Sequence, residues 1–340
     1  MKVLILTPTC LPDLTGNAMT AERLRFGLGR EGIEVEVIRA DDSNLSSRIE
    51  AFGPDIIHAL HARKSGAAAM DFSGRHKAPY LVTITGTDLY PGLPGSNEKD
   101  LSLVLQGAGA VIVYSELTSK RLLSGAPSLA GKTRVIKKGI HFNHDRHKVI
   151  RSQNRAAFLL PSGIRPVKAT TFVIDPLEKL RQEFPDISLT VAGPILDDAE
   201  WELFCRKAEG KDWVRHLTVS HDEMPGLYGE AEIVLNSSIS EGLSNAVLEA
   251  MHFGRPVLAS DCEGNMAAFS SGEGGLFYKG WDEKDFINKA RRLLSDRLLR
   301  LELGSKGREK ILKEHTLDVE IKGHIKIYKE LLQTGDHFQG

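Results

Sequence analysis

Short runs of aliphatic and β-branched residues alternate with amphipathic stretches along nearly the whole chain, and few architectures accept that rhythm. Strand, helix and strand in repeated succession build parallel sheets with helices on both faces. The first series reads as strands over 2–6, 35–39, 56–60, 80–85, 110–114 and 134–137, with helices over 18–30, 45–52, 66–75, 101–106 and 116–123 between them. The second has strands over 156–160, 188–192, 215–219, 233–235, 256–260 and 276–278, with helices over 171–183, 199–208, 223–229 and 245–253. Two or three closing helices follow. Between 139 and 155 the rhythm lapses into His141-Phe142-Asn143-His144-Asp145-Arg146-His147-Lys148, a polar stretch suited to an interdomain connection. The expected domains are therefore 1–145 and 150–317. A final helix at about 318–335 carries Ile321, Ile325, Tyr328 and Leu331 at helical spacing. That stripe suits either a return onto the first domain or ordinary core packing.

A chain of 340 residues with 41% hydrophobic content can fill two such cores. Its 44 Lys and Arg nearly cancel its 45 Asp and Glu, which excludes the long-range field of a general nucleic-acid binder. Any anionic ligand must be met locally. Cys10, Cys205 and Cys262 lie far apart, without C-x-x-C spacing, and read as reduced thiols rather than a disulfide or metal framework. No apolar run approaches the roughly 20 residues needed to cross a bilayer, and the opening Val3-Leu4-Ile5-Leu6 is too short for a signal segment. The expected compartment is the cytoplasm.

Ligands of open α/β sheets bind outside the C-terminal ends of the strands, so two doubly wound domains facing a shared cleft should carry their chemistry just after strands. Two clusters sit there in the second series. One is Ser240-Glu241-Gly242-Leu243-Ser244-Asn245, which opens the helix of Val247, Leu248, Glu249 and Met251. With Ser244 or Asn245 as N-cap, the first-turn N–H groups suit a diphosphate, Glu241 can reach sugar hydroxyls, and Glu249 can accept from a vicinal diol. Both glutamates also fit the plainer description of solvated side chains. The other cluster is Pro161-Ser162-Gly163-Ile164-Arg165-Pro166-Val167-Lys168, where Arg165 as a planar fork and Lys168 as a point charge suit a phosphate clamp or are simply surface cations.

In the first series, Gly16 and Asn17 sit between a strand and a helix start, where glycine permits close backbone approach to an anion or merely turns the chain. Thr85-Gly86-Thr87-Asp88 ends a strand; Asp88 is a candidate acceptor ligand or base, or a turn former. His58 and His61 flank another strand end and make a weak metal signal without a third ligand.

The spacing of Glu241 and Glu249 inside EGLSNAVLEAMHFGRPVLAS, with Arg165 and Lys168 upstream, resembles the donor site of the family-four retaining glycosyltransferases of the GT-B fold. TGNAMTAERLR, ALHARKSG, TGTDLY, GIRPVK, NSSISEGLSNAVLEAM and EGNMAA are similar to the glycosyltransferase-1-domain-containing proteins and, in the first domain, to bacterial selenosugar synthases. The resemblance implies two Rossmann-like domains and transfer of a sugar, with retention, from a nucleotide diphosphate sugar, a UDP-sugar being favoured, to a small-molecule or glycan acceptor. It implies Glu241 at the donor sugar, Glu249 at the ribose, Arg165 and Lys168 at the diphosphate, the backbone of Gly242, Leu243, Ser244 and Asn245 beside them, and Val219 holding the base through its main chain. Gly16 and Asn17 would face the leaving phosphate. Many relatives carry histidine immediately before G-T-D, where this chain has Thr85. His61 is the candidate to replace it. With cationic side chains at the diphosphate and no D-x-D motif, no metal or other cofactor is expected. Alternative activities are transfer to selenophosphate, nucleotide-sugar 2-epimerisation, and nucleotide-sugar binding without turnover.

Overall fold

A computed structural model describes residues 1–89, 98–142 and 156–335. From Asn143 onward the polar stretch read as the interdomain connection lies outside them. The chain divides into two compact units, Met1–Gly139 with Thr316–Gly340, and Ile140–His315.

The first unit is a six-stranded parallel sheet of β1 (Lys2–Thr7), β2 (Glu34–Arg39), β3 (Ile56–Leu60), β4 (Tyr80–Thr83), β5 (Ala110–Val113) and β6 (Thr133–Val135), in the order β2-β1-β3-β4-β5-β6. Its helices are α1 (Gly16–Arg30), α2 (Leu45–Phe52), α3 (Ala62–His76), α4 (Glu98–Gly107) and α5 (Glu116–Gly125). Successive side chains alternate between the two faces, as the strand period of two requires. Leu4, Leu6, Ile57, Ala59, Val82 and Val111 join one apolar cluster, while Val3, Ile5, Ile56, Leu60, Leu81 and Ile112 join the other.

The second unit repeats the plan. Its strands are β7 (Ala157–Pro161), β8 (Ser188–Ala192), β9 (Val214–Leu217), β10 (Ile233–Asn236), β11 (Val257–Ser260) and β12 (Gly275–Tyr278), in the order β12-β11-β10-β7-β8-β9 and all parallel. Its helices are α6 (Ile174–Leu180), α7 (Asp198–Ala208), α8 (Met224–Glu230), α9 (Asn245–His252), α10 (Glu263–Met266), α11 (Glu283–Ser295) and α12 (Arg297–Glu314). The expected helix over 171–183 is shorter: Thr170–Val173 forms a 3₁₀ turn after Ala169, which has φ 44°, and only Ile174–Leu180 is α-helical.

The last helix, α13 (Leu317–Gly335), belongs to the first unit and lies against α1. Ile321 and Tyr328 are buried there, with Ile325 and Leu331 packed beside them. Gly27 makes this approach possible, since a Cβ at that position would lie 2.4 Å from Ile321 Cγ1.

Strand order also marks where each sheet can take a ligand. The chain reverses direction of travel between β1 and β3 in the first sheet and between β7 and β10 in the second. At such a switch point the loops leaving adjacent strands diverge to opposite faces and open a crevice at the carboxyl ends.

Candidate functional site

The β7/β10 switch point brings together the two clusters singled out in the second unit. After β7 the chain runs through Ser162 and Gly163 into a 3₁₀ turn, Pro166–Lys168. After β10 it runs from Asn236 to Ser244, which caps α9 by accepting from Val247 N–H at 3.4 Å. The loops are tied to each other: Ser237 Oγ donates to Lys168 C=O at 2.8 Å, and Ile239 N–H to Val167 C=O at 2.9 Å.

Beneath this junction lies a polar network that pattern reading did not single out. Asn236 Nδ2 donates to Ser244 Oγ at 3.0 Å, and Asn236 Oδ1 accepts from Ser238 N–H at 3.0 Å and from Asn265 Nδ2 at 3.1 Å. Asn265, with no exposed surface, also donates to Ser260 C=O, and Ser260 Oγ donates to Ser238 C=O at 2.6 Å. A buried network of this kind holds a loop in one shape because every displaced member would lose its partner. The signal available in the sequence was the clustering of Asn and Ser immediately after β-strands.

Glu241 sits on that support. Its Oε1 accepts from Ser238 Oγ at 2.7 Å and from Asn236 Nδ2 at 3.5 Å, and forms an ion pair with Lys168 Nζ. Burial alone would raise the Glu241 carboxyl, but the Lys168 charge and these hydrogen bonds outweigh it and hold the group below the ordinary carboxylate value. Its backbone packs directly on α10, where a Cβ at Gly264 would lie 2.4 Å from Glu241 C=O. Gly264→Ala should therefore displace the Glu241 loop and destabilise the second unit by about 1–3 kcal/mol, the usual range for forcing an extra carbon into a packed site. Trp201, Trp213 and Trp281 all belong to that unit, so the check is the urea midpoint followed by tryptophan emission. An unchanged midpoint would show that the loop yields freely.

At the same junction Arg165 Nε, Ser240 Oγ and Asn245 Oδ1, and in the network beneath it Asn265 Oδ1, have no hydrogen-bond partner among the described residues. Native proteins rarely leave such groups unsatisfied, and the first three lie on the two facing loops and the first turn of α9. Gly242 is partly buried beside them, whereas the Leu243 side chain is in the core, so Leu243 can offer a ligand only its main chain.

Glu249 lies farther along α9. Its Oε2 accepts from Tyr228 Oη at 2.8 Å, and its Oε1 is 3.5 Å from His221 Nε2. Burial, reinforced by the Glu249 charge, pushes the Tyr228 phenol well above its ordinary value, so it stays a donor. Val219, partly buried, follows β9 and precedes His221 by two residues. Neither Tyr228 nor His221 was singled out in the sequence.

In the first unit, the β1/β3 switch point carries Gly16 and His61. Gly16 is exposed and opens α1, Asn17 is partly buried, and Thr15 Oγ1 caps the helix from Ala18 N–H at 3.3 Å. Two expectations are corrected here. Asp88 is not a presented base: with no exposed surface, its carboxylate accepts from Ala62 N–H at 2.7 Å, Gly86 N–H at 2.9 Å, Thr85 N–H at 3.0 Å and Thr85 Oγ1 at 3.2 Å. It braces the loop to the start of α3. Thr85 is correspondingly turned toward Asp88. His61 does not stand at an open edge either; its ring is only 2% exposed and its Nδ1 lies 3.6 Å from Asp88 Oδ2, with φ 74° at the turn into α3. Burial draws its pKa below the ordinary imidazole value despite the opposing charge of Asp88.

Among the described residues, no group of three or more His, Cys, Asp and Glu side chains is placed to hold a metal ion, and no helix is long and apolar enough to cross a membrane.

Residues 142–310 match the family model described as Glycosyl transferases group 1. The chain is 24% identical over 341 residues to Glycosyltransferase 1 domain-containing protein 1 of Xenopus tropicalis, covering 94% of this chain and 95% of that one. It is 24% identical over 273 residues to the D-inositol 3-phosphate glycosyltransferase of Arthrobacter sp. (strain FB24), covering 74% and 64% of the two chains. Among solved structures, sucrose-phosphate synthase from Thermosynechococcus elongatus matches with a TM-score of 0.83 over 98% of this chain and 100% of its own, at 17% identity. Anabaena HepE, solved in complex with UDP and glucose, matches with a TM-score of 0.77 over 98% and 99%, also at 17% identity. These structural likenesses carry the fold, the paired Rossmann-like architecture of the GT-B glycosyltransferases. With a second unit that matches the family model and a first that continues the likeness over nearly the full length of the Xenopus protein, the chain carries a glycosyl transferases group 1 domain over residues 142–310.

Proposed function

We propose that this protein transfers a hexosyl or N-acetylhexosaminyl group from a UDP-sugar to an acceptor hydroxyl, with retention at the anomeric carbon and without a metal ion. The observation that carries the reading is that three buried atoms at the β7/β10 switch point, Arg165 Nε, Ser240 Oγ and Asn245 Oδ1, have no hydrogen-bond partner among the described residues, on loops that also carry Lys168. A diphosphate lying over the first turn of α9 meets the Arg165 fork, the Lys168 ammonium and the N–H groups of the helix start. Glu241 then faces the sugar hydroxyls, and Glu249, whose orientation Tyr228 fixes, faces the ribose diol.

Breaking the bond between the anomeric carbon and phosphate puts negative charge on the departing diphosphate and positive character on the sugar. Arg165, Lys168 and the α9 terminus are aimed at the growing negative charge, so they stabilise the transition state more than the ground state. These cations do the work that a divalent ion would otherwise do. Retention follows if the acceptor attacks from the face the phosphate leaves, with a phosphate oxygen taking the acceptor proton. The UDP bound by Anabaena HepE supports uridine as the base.

A thermal-shift panel of UDP-, GDP- and ADP-sugars, with and without EDTA, tests the reading. The expected result is stabilisation by a UDP-sugar that EDTA leaves unchanged and Glu249→Ala abolishes. A ligand at 100 times its Kd adds about 2.7 kcal/mol to stability. If no nucleotide sugar at millimolar concentration raises the melting temperature, the donor-site assignment is wrong.

A further inference from the structure

The surroundings of Glu249 hold more than a ribose-binding carboxylate needs. Tyr228 and His221 address its two oxygens separately, and both rings are held by one continuous aromatic stack. Tyr228 stacks on Phe253 at 5.2 Å between centroids; Phe253 meets Phe142 edge-on at 4.9 Å; and Phe142 lies flat on His221 at 4.7 Å with 2° between the planes. The stack thus begins and ends at the same carboxylate. Its two ends differ in character: Tyr228 is fully buried, whereas the His221 side chain keeps 22% of its surface exposed. At 3.5 Å, His221 Nε2 stands beyond a good N–H···O contact with Glu249 Oε1. It is nonetheless fixed there by Phe142, which is itself only 5% exposed.

We propose that His221 is a positioning and specificity residue for the ribose, an inference that rests on the reading of Glu249 as the diol acceptor. A ribose hydroxyl entering between them donates its proton to Glu249 Oε1 and accepts from His221 Nε2–H. His221 Nε2 carries a single N–H, so the hydroxyl takes it over from the long 3.5 Å contact with Oε1 while its own O–H bonds to the carboxylate. The second hydroxyl of the diol meets the carboxylate without a histidine. The two hydroxyls are therefore unequal, and the site distinguishes ribonucleotides from one of their deoxy analogues more sharply than from the other. Main-chain recognition of the base cannot supply that distinction, since it does not sense the sugar.

The test measures binding of UDP, 2′-deoxy-UDP and 3′-deoxy-UDP by calorimetry to the wild type, His221→Ala, His221→Gln and Glu249→Ala. One deoxy nucleotide should bind the wild type about tenfold more weakly than UDP, the usual effect of losing a hydrogen bond to a charged group. His221→Ala should weaken UDP by a similar factor and leave that deoxy nucleotide unaffected, and His221→Gln, which retains a donor, should recover part of the difference. If His221→Ala weakens all three nucleotides equally, or none, the proposal is overturned and the ring only packs. Failure of the underlying donor reading looks different: Glu249→Ala would bind UDP as tightly as the wild type. Absence of binding to the wild type would overturn both.

Discussion

Replacing Arg165 with alanine should lower transfer by about 10²–10³-fold, the range for removing one preorganised donor from a developing anion, while leaving the fold as stable as before. The separation of the two effects is the point. Arg165 Nε has no hydrogen-bond partner among the described residues, so truncation breaks no internal bond there and relieves a buried donor of its desolvation penalty. A group held in place at the expense of stability is a mark of function. Lys168→Ala should behave differently, because Lys168 is also the counter-ion of Glu241, whose side chain is only 13% exposed. Its loss should lower both activity and stability, and should let burial raise the Glu241 carboxyl. Release of nucleoside diphosphate from the donor gives the rate, and tryptophan-detected urea unfolding gives the stability of the second unit. A large loss of stability in Arg165→Ala with a modest loss of rate would make the guanidinium a structural group.

Much of this architecture was legible because strands buried on both faces are short, aliphatic and regularly spaced. All the strands expected in either series are present, with ends moved by a residue or two. Legibility fell where structure depends on few residues or on distant ones. The four residues of α10 are too few to show a helical period, yet its Gly264 lets the Glu241 backbone sit where it does. The two polar clusters of the second unit do follow the adjacent strands β7 and β10, as expected of polar residues at the carboxyl edge of an open sheet. Whether such a residue faces a ligand or the interior is another matter. Asp88 looks in sequence like a candidate base and is in fact the acceptor for a strand-end loop and a helix start. His58, which looked like part of a weak metal signal, is fully buried between Thr83, 2.6 Å from its Nε2, and Tyr328, 2.7 Å from its Nδ1 and 270 positions away. No local pattern announces a partner at that separation.

The same distance effect makes Glu320→Ala the substitution expected to harm the first unit most, by about 3–5 kcal/mol, because it removes one partner of a buried ion pair. Arg23 on α1 donates from Nε to Glu320 Oε2 at 2.7 Å and from Nη2 to Oε1 at 3.0 Å, with the two side chains 8% and 0% exposed. Gly139 N–H adds a bond to Oε2 at 3.0 Å. Burial alone would raise the Glu320 carboxyl, but Arg23 and its neighbours hold it below the ordinary value, so it remains charged in the fold. Truncating it leaves a guanidinium buried without that carboxylate and a backbone donor without that acceptor. Arg23→Met should cost nearly as much, and the pair replaced together by Met and Leu should cost less than the sum of the two. Because no tryptophan lies in this unit, its unfolding is read from circular dichroism and compared with the emission transition of the other. Acid should weaken the same region. Burial holds His58 well below, and His324 below, the ordinary 6.5, so the unfolded chain takes up these protons first. Stability should therefore fall as pH drops below about 6.5, by up to about 1.4 kcal/mol per pH unit for each histidine, with the Glu320 contribution lost only at still lower pH. If stability stays flat from pH 7 to 5 and Glu320→Ala unfolds at the wild-type midpoint, then α13 is held by its apolar stripe alone and the buried ion pair adds nothing to it.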